Sequence, residues 1–208
     1  MAEAQSVVLV HGIWMPGAEM TLLARRLRRC GFRPLQFSYP SVRCDLPQNA
    51  ARLHAFVQRI DTPVVHFVAH SLGGLLLRHF FHDYPQQRPG RVVTLGSPHA
   101  GSAVARRMGA NPFGKALLGQ SFKRGLRGDV PAWDAGRELG VIAGNVGLGV
   151  GRLVGGLRGA NDGVVSLAET RLAGAADYRV FPVNHTGLLF SRDVATAVCR
   201  FLHHGHFD

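Results

Sequence analysis

Residues 64–77 constrain the fold of this chain more than any other stretch. They read VVHFVAHSLGGLLL, an apolar β-branched run that leads into Ser71 and then, at once, into a leucine-rich run. This pattern predicts a buried strand, a sharp turn at Ser71 and a helix. Such a turn leaves little room, so the residues two before and two after the serine must be small, as Ala69 and Gly73 are. By itself the motif has two interpretations: Ser71 is an exposed nucleophile, or it merely caps the helix.

The rest of the chain predicts one globular domain, residues 1–208. Hydrophobic residues make up 46% of the sequence and charged residues 18%, which excludes a disordered chain. No apolar run approaches the roughly 20 residues that span a bilayer. We therefore expect a soluble protein with a single core.

Short apolar runs and amphipathic runs alternate along the sequence. Besides the serine strand, strands are predicted at residues 6–10, 33–39, 91–95, 139–143 and 178–183. Helices are predicted at residues 17–30, 45–60, from Ser71 to about 84, and 186–203. Strands that alternate with helices predict an α/β fold with a parallel, doubly wound sheet.

Two regions interrupt this alternation. Residues 103–138 are basic and longer than an ordinary connection, which predicts a short cap or lid insertion. Residues 144–163 are rich in glycine, but their spacing matches neither a dinucleotide fingerprint nor a phosphate-binding loop. We interpret them as a loop near the site.

A nucleophilic serine needs a histidine base and a carboxylate that orients it, and on doubly wound sheets functional residues lie on loops at the carboxyl ends of the strands. His185 lies between the last predicted strand and the last helix, where the base is expected. Asp162, in the sequence NDGVV after the strand at 139–143, is the preferred acid, although Asn-Asp-Gly is also a common turn. Asp134 and Asp177 remain the alternatives.

The same chemistry requires N–H groups that stabilise the oxyanion. The amide of Leu72, directly after the serine, is one candidate. The second is the amide of Ile13 or Trp14, which follow His11 and Gly12 at the end of the first strand. His11 is expected to hold this loop. The sequence shows no histidine and carboxylate cluster with metal-ligand spacing, so neither a metal nor another cofactor is predicted.

The cysteines, the amino terminus and the net charge indicate the cellular compartment and the binding partners of the protein. Cys30, Cys44 and Cys199 are scattered and odd in number, so we expect no disulfide. Residues 1–6 do not resemble a secretory signal, which favours a cytoplasmic protein. The net charge of +11 is spread along the chain without a nucleic-acid motif. It predicts no nucleic-acid partner and at most a weak attraction to anionic membrane surfaces.

Five motifs in one order resemble the α/β-hydrolase superfamily, and more narrowly small bacterial lipases, esterases and lipase-like deacylases. They are HGIW at 11–14, AHSLGG at 69–74, GSPHAGS at 96–102, NDGVV at 161–165 and NHTG at 184–187. The resemblance implies hydrolysis of a small-molecule or lipid carboxylic ester by Ser71, Asp162 and His185.

Two departures from the superfamily narrow this expectation. The two strands that begin the full superfamily fold are missing here, which implies a minimal sheet of about six strands. The cap is short, which argues against strong interfacial activation. Thioesterase, acyltransferase and amidase activities use the same triad and remain alternatives, as does a hydrolase-fold protein that binds without catalysis.

Overall fold

Six strands form one parallel sheet at the centre of the protein. The computed structural model describes residues 5–134, 136–149, 151–155 and 157–208. The strand order is β2-β1-β3-β4-β5-β6, and every neighbouring pair is parallel. The strands are β1 (Ser6–Val10), β2 (Arg33–Phe37), β3 (Val65–His70), β4 (Val92–Leu95), β5 (Leu139–Gly144) and β6 (Asp177–Phe181). The predicted α/β class, parallel sheet and strand number are confirmed.

Helices connect consecutive strands and cover both faces of the sheet. They are α1 (Thr21–Arg29), α2 (Leu46–Val57), α3 (Leu72–Asp83), α4 (Ala103–Met108), α5 (Pro112–Leu118), α6 (Gly151–Val154), α7 (Gly187–Phe190) and α8 (Arg192–His204). A 3-10 turn, Ala18–Met20, precedes α1, and Asp45 caps α2 through a reciprocal pair of hydrogen bonds with Gln48. Residues 103–126, within the predicted cap, fold into α4, α5 and two short helical turns.

Alternation along the strands divides the core into two layers. Val8 and Val10 of β1 pack with α2 and α3, whereas Val7 and Leu9 pack with α1 and α8 on the other face. Side chains of a strand point alternately to opposite faces, so a strand that is apolar throughout must be covered on both. The predicted strands therefore place the serine turn at the carboxyl edge of a sheet that is buried on both faces.

Two local predictions are wrong. The single helix expected over 186–203 is two helices, α7 and α8, because the chain extends at Ser191 and its hydroxyl caps the new helix by accepting from the Val194 amide. The glycine-rich stretch 144–163, expected to be loop throughout, contains the one-turn helix α6.

The expectation that no disulfide forms is also wrong. Cys30, just after α1, is bonded to Cys199 of α8, with the two Cα atoms 6.2 Å apart. The two cysteines are separated by 169 positions in sequence, and the packing of α1 against α8 brings them together. Cys44 is the remaining cysteine. Because disulfides persist mainly in oxidising compartments, this bond weighs against the cytoplasmic expectation.

Membrane-spanning helices are not found in the described part of the chain, since none of its helices combines the necessary length with the necessary apolar composition.

Candidate active site

Ser71 occupies a strained turn between β3 and α3. Its φ is 53° and its ψ is −120°, a conformation that residues with a side chain rarely adopt. The Ser71 amide donates to Leu95 O at the end of β4, which fixes the turn against the sheet. Although Ser71 stands at the N-cap position, its hydroxyl makes no capping hydrogen bond within the described structure. Helix capping therefore does not account for Ser71.

The small residues beside Ser71 are required by backbone packing. A Cβ placed on Gly73 would lie 2.6 Å from Val10 O and 2.8 Å from His11 O. On Gly74 it would lie 2.6 Å from the Ser97 Cβ. Glycine at these positions lets α3 begin directly against the end of β1 and the loop after β4, so the site has closely packed walls.

Asp162 and His185 form a buried hydrogen-bonded pair. His185 Nδ1 lies 2.6 Å from Asp162 Oδ2, and the two side chains are 10% and 1% exposed. The other carboxylate oxygen, Oδ1, accepts from the amides of Val164 and Val165 at 2.9 and 2.7 Å. The His185 amide donates to Asp162 O at 2.8 Å, so the two loops are joined by their backbones as well. Asp162 therefore fixes Nδ1 as the protonated nitrogen of His185.

His70 links this pair to the serine turn. It directly precedes Ser71, its ring centre lies 4.6 Å from that of His185, and its Nε2 donates to His185 O at 3.2 Å. Burial lowers the pKa of His70 well below its usual value, with a further contribution from the neighbouring His185. His70 is therefore neutral and supports the His185 loop.

Two glycines allow the loops to close around these residues. A Cβ on Gly12 would lie 3.2 Å from the Ser71 Cβ, and a Cβ on Gly96 would lie 3.0 Å from His185 Nδ1 and 3.1 Å from Asp162 Oδ2. Gly96 also has a φ of 59°, which favours glycine. In the sequence Gly96 stands out only as the first residue of the GSPHAGS motif, because the contacts that require glycine come from the distant residues Asp162 and His185.

Two of the three predicted oxyanion donors have amides that are free within the described residues. They are Leu72, at the first position of α3, and Ile13, in the loop after β1. The Trp14 amide differs, because it donates to the Ser41 hydroxyl at 3.1 Å. His11 holds this loop: its Nε2 accepts from the Tyr39 amide at 3.1 Å, and Tyr39 Oη donates to His11 O at 2.9 Å.

The two alternative acids lie elsewhere. Asp177 stands at the amino end of β6, on the sheet edge opposite Ser71, and its carboxylate accepts from the amides of Tyr178 and Phe207. Asp134 is exposed. The geometry therefore brings Asp162, and neither alternative, to His185.

Two buried charged residues near the site were given no structural role from the sequence. Arg78 of α3 donates to the carbonyls of His99 and Pro131 at 2.7 and 2.6 Å. Glu169 accepts from the amides of Ala103 and Ser166 at 2.5 and 2.8 Å. The sequence contains a signal for each. Arg78 is the one charged residue in the apolar run 72–81, and Ser166 and Glu169 have the spacing of a capping box.

Within the described residues, no group of three or more His, Cys, Asp or Glu side chains is placed to hold a metal ion.

Comparison with known proteins places this geometry in context. A protein family described as "Alpha/beta hydrolase family" matches residues 7–204 of the chain. Among curated proteins none matches the sequence. Similar solved structures include the mature form of the Bacillus licheniformis lipase BlEst2, at 20% identity and a TM-score of 0.70, with 91% of this chain and 88% of that chain covered.

Two further structures share the fold. A metagenomic carboxyl esterase has 17% identity and a TM-score of 0.67, with 89% of this chain and 65% of that chain covered. The monoacylglycerol lipase of Paleococcus ferrophilus has 15% identity and a TM-score of 0.63, with 96% and 95% covered. At these identities the likeness is one of fold.

Proposed function

Because the chain belongs to the alpha/beta hydrolase family, we propose that it hydrolyses carboxylic esters through an acyl-enzyme formed on Ser71. The observation that carries this proposal is the 2.6 Å hydrogen bond between His185 Nδ1 and Asp162 Oδ2, beside a serine held in a strained turn. The lipases and the esterase that share the fold support an ester as the substrate class.

The reaction proceeds in two halves. Ser71 Oγ attacks the acyl carbonyl while His185 Nε2 takes its proton, and the Asp162 carboxylate stabilises the imidazolium that forms. The amides of Leu72 and Ile13 donate to the oxyanion of the tetrahedral intermediate. His185 then passes the proton to the departing alcohol oxygen, which leaves the acyl group on Ser71. Water, deprotonated by His185, attacks this ester and releases the carboxylic acid.

A fluorophosphonate probe tests whether Ser71 is an activated nucleophile. We expect stoichiometric labelling that Ser71→Ala abolishes. Ser97→Ala is the matched control, because Ser97 is buried beside the same turn and its hydroxyl has no hydrogen-bond partner among the described residues. An intact fold without labelling would favour the non-catalytic alternative.

A substrate panel separates the enzymatic alternatives. Esters, thioesters and anilides of graded acyl length are assayed with Ser71→Ala as the blank. We expect a higher kcat/KM for esters than for anilides, because an alcohol needs less assistance from His185 to depart than an amine does. We expect esters to exceed thioesters because the solved structures that share the fold are lipases and an esterase. A preference for thioesters or anilides would reassign the reaction while keeping the triad.

Asp162→Asn tests the acid through the tautomer of His185. Since Oδ1 accepts from two backbone amides, the asparagine oxygen takes this position and its NH2 group faces His185 Nδ1. Nδ1 must then accept, so the proton moves to Nε2, the nitrogen that should receive the serine proton. We expect kcat to fall by about 10⁴, as in other triads with this substitution.

The matched controls are Asp134→Asn and Asp177→Asn. Both remove one carboxylate charge, and neither residue hydrogen-bonds to His185. We expect kcat to remain within a few fold of the wild type in each. A large loss of kcat in either control, with Asp162→Asn still active, would show that the acid is misassigned.

A further inference from the structure

Four of the exposed large apolar side chains belong to the loops directly after β1 and β5 and to helix α5. Trp14 is 51% exposed, Phe113 76%, Leu117 42% and Leu148 56%. We call these four residues the apolar rim. Trp14 follows β1, Phe113 and Leu117 belong to α5, and Leu148 follows β5, so the rim lies at the same sheet edge as Ser71.

Contacts within the structure connect three members of the rim, Trp14, Phe113 and Leu117. Trp14 Nε1 donates to Leu117 O at 2.8 Å, which places the indole against the end of α5. A hollow of about 510 Å³ between α4, α5 and α6 is lined by Met108, Phe113, Leu117 and Val154, among others. An exposed phenylalanine beside an open apolar hollow costs solvation free energy unless something covers both.

Basic side chains are concentrated in the segment that carries Phe113 and Leu117. Residues 103–134 contain six lysines and arginines and two acidic residues. The six are Arg106, Arg107, Lys115, Lys123, Arg124 and Arg127, and all are exposed. One ion pair involving them is found in the described structure, the long contact of Arg124 with Asp45 at 3.9 Å. The other five cations are therefore available to an anionic partner.

We propose that this face docks on an anionic phospholipid surface. Apolar side chains enter the boundary between headgroups and acyl chains, and lysine and arginine contact the lipid phosphates. Tryptophan, with an apolar ring and one N–H donor, is suited to this boundary. Binding at this face would present the Ser71 edge of the sheet to the lipid. Docking does not depend on turnover, so it is tested separately from the proposed ester hydrolysis.

Sedimentation with vesicles measures the docking directly. We compare vesicles of phosphatidylcholine alone with vesicles of equal parts phosphatidylcholine and phosphatidylglycerol at moderate salt. We expect binding to the anionic vesicles at least tenfold tighter than to the neutral ones, with a decrease as salt rises. Failure to sediment with the anionic vesicles, or equal binding to both, overturns the proposal.

Matched variants assign the binding to this face. Arg106→Ser/Arg107→Ser should weaken binding roughly fivefold for each cation removed. Arg28→Ser/Arg29→Ser, which changes the net charge equally on α1 at the opposite face of the sheet, should not. Equal effects of the two double variants would mean that net charge alone drives binding, which contradicts a docking face.

The apolar part of the proposal has its own control. Phe113→Ser should weaken binding to the anionic vesicles at least tenfold, because it removes the most exposed apolar side chain of the rim. Phe190→Ser changes the same residue type on α7, where it is 46% exposed, and should leave binding unchanged. If Phe113→Ser has no effect, the rim does not enter the lipid.

Fluorescence of Trp14 reports the orientation. The chain has two tryptophans, and Trp133 is half-buried, with its ring 5.4 Å from that of Phe81. Trp133→Phe therefore leaves Trp14 as the reporter. We expect a blue shift with anionic vesicles and none with neutral ones. Sedimentation without this shift would place another surface against the lipid and overturn the proposal.

Discussion

Reduction of the Cys30–Cys199 disulfide should destabilise the protein strongly. The bond joins residues 169 positions apart, so it restricts most of the chain in the unfolded state. For a loop of this length the chain-entropy relation gives about 5 kcal/mol at 25 °C, near the upper end of the range of about 0–5 kcal/mol found for disulfides. A typical domain has a free energy of unfolding of about 5–15 kcal/mol, so the bond supplies a large share of it.

Urea unfolding with and without reductant measures this contribution. We expect reductant to lower the free energy of unfolding of the wild type by roughly 2–5 kcal/mol. Cys199→Ala should be destabilised to a similar extent and should show no further response to reductant. Cys44→Ala, which leaves the bond intact, is the matched control and should respond to reductant as the wild type does.

Thiol titration in denaturant decides whether the bond exists. For protein refolded in a glutathione redox buffer, one reactive thiol is expected without reductant, that of Cys44, and three after reduction. Three thiols before reduction, or a urea midpoint that reductant does not change, would refute the assignment of the disulfide.

Three further predictions concern the walls of the site and the response to acid. Gly96→Ala should lower kcat roughly 10–100-fold in an ester assay while circular dichroism stays native, because the new Cβ would displace His185 from its position; an unchanged kcat would contradict this. Gly74→Ala should destabilise the fold, seen as a lower Tm, because its Cβ has no space beside Ser97. Burial lowers the pKa of His66 from 6.5 to about 4. The unfolded chain therefore binds a proton that the folded chain excludes. His66 alone should lower the free energy of unfolding by about 3 kcal/mol as the pH drops from 6.5 to 4, and His70 and His99, whose pKa values burial also lowers, should add to this fall. Urea unfolding across this range measures the fall, and a constant stability would contradict it.

Local patterns were sufficient to predict most of the fold. The inner strands β1, β3, β4 and β5 could be identified because burial on both faces of a parallel sheet requires continuous apolar runs. The short turn at Ser71 could be predicted because strain and close packing restrict its neighbours to small residues, such as Ala69 and Gly73. The pairing of Asp162 with His185 also agrees with the sequence prediction, since both follow strands whose carboxyl ends meet at one edge.

Features that depend on contacts distant in sequence could not be predicted. The Cys30–Cys199 bond follows from the packing of α1 against α8, which no spacing of cysteines reveals. The hydrogen bond from the Trp14 amide to the Ser41 hydroxyl likewise depends on the packing of the loop after β2 against the loop after β1. The break at Ser191 is different, because a local cap signal was present but the helical period of the apolar residues on both sides concealed it.

The predicted cap region is attached to α3, to the loop that carries Asp162 and to the loop that holds Ile13. Arg78, on the helix that begins after Ser71, donates to His99 O just before this segment and to Pro131 O near its end. Glu169, from the loop that also carries Asp162, accepts from the amide of Ala103 at its start. These attachments fix both ends of the segment, so it cannot swing away as a unit without breaking buried charged hydrogen bonds.

The middle of the predicted cap region is joined to the loop after β1, which holds the proposed oxyanion donor Ile13. Ser121 donates to Ser41 O, the Ser41 hydroxyl accepts from the Trp14 amide, and Trp14 Nε1 donates to Leu117 O of α5. A movement of α5 therefore acts on the loop that holds the Ile13 amide, one of the two free donors. Lipid docking through Phe113, on the same helix, would thus be coupled to the geometry of the oxyanion site rather than to the removal of a lid. This predicts that docking changes kcat more than it changes access of substrate to Ser71.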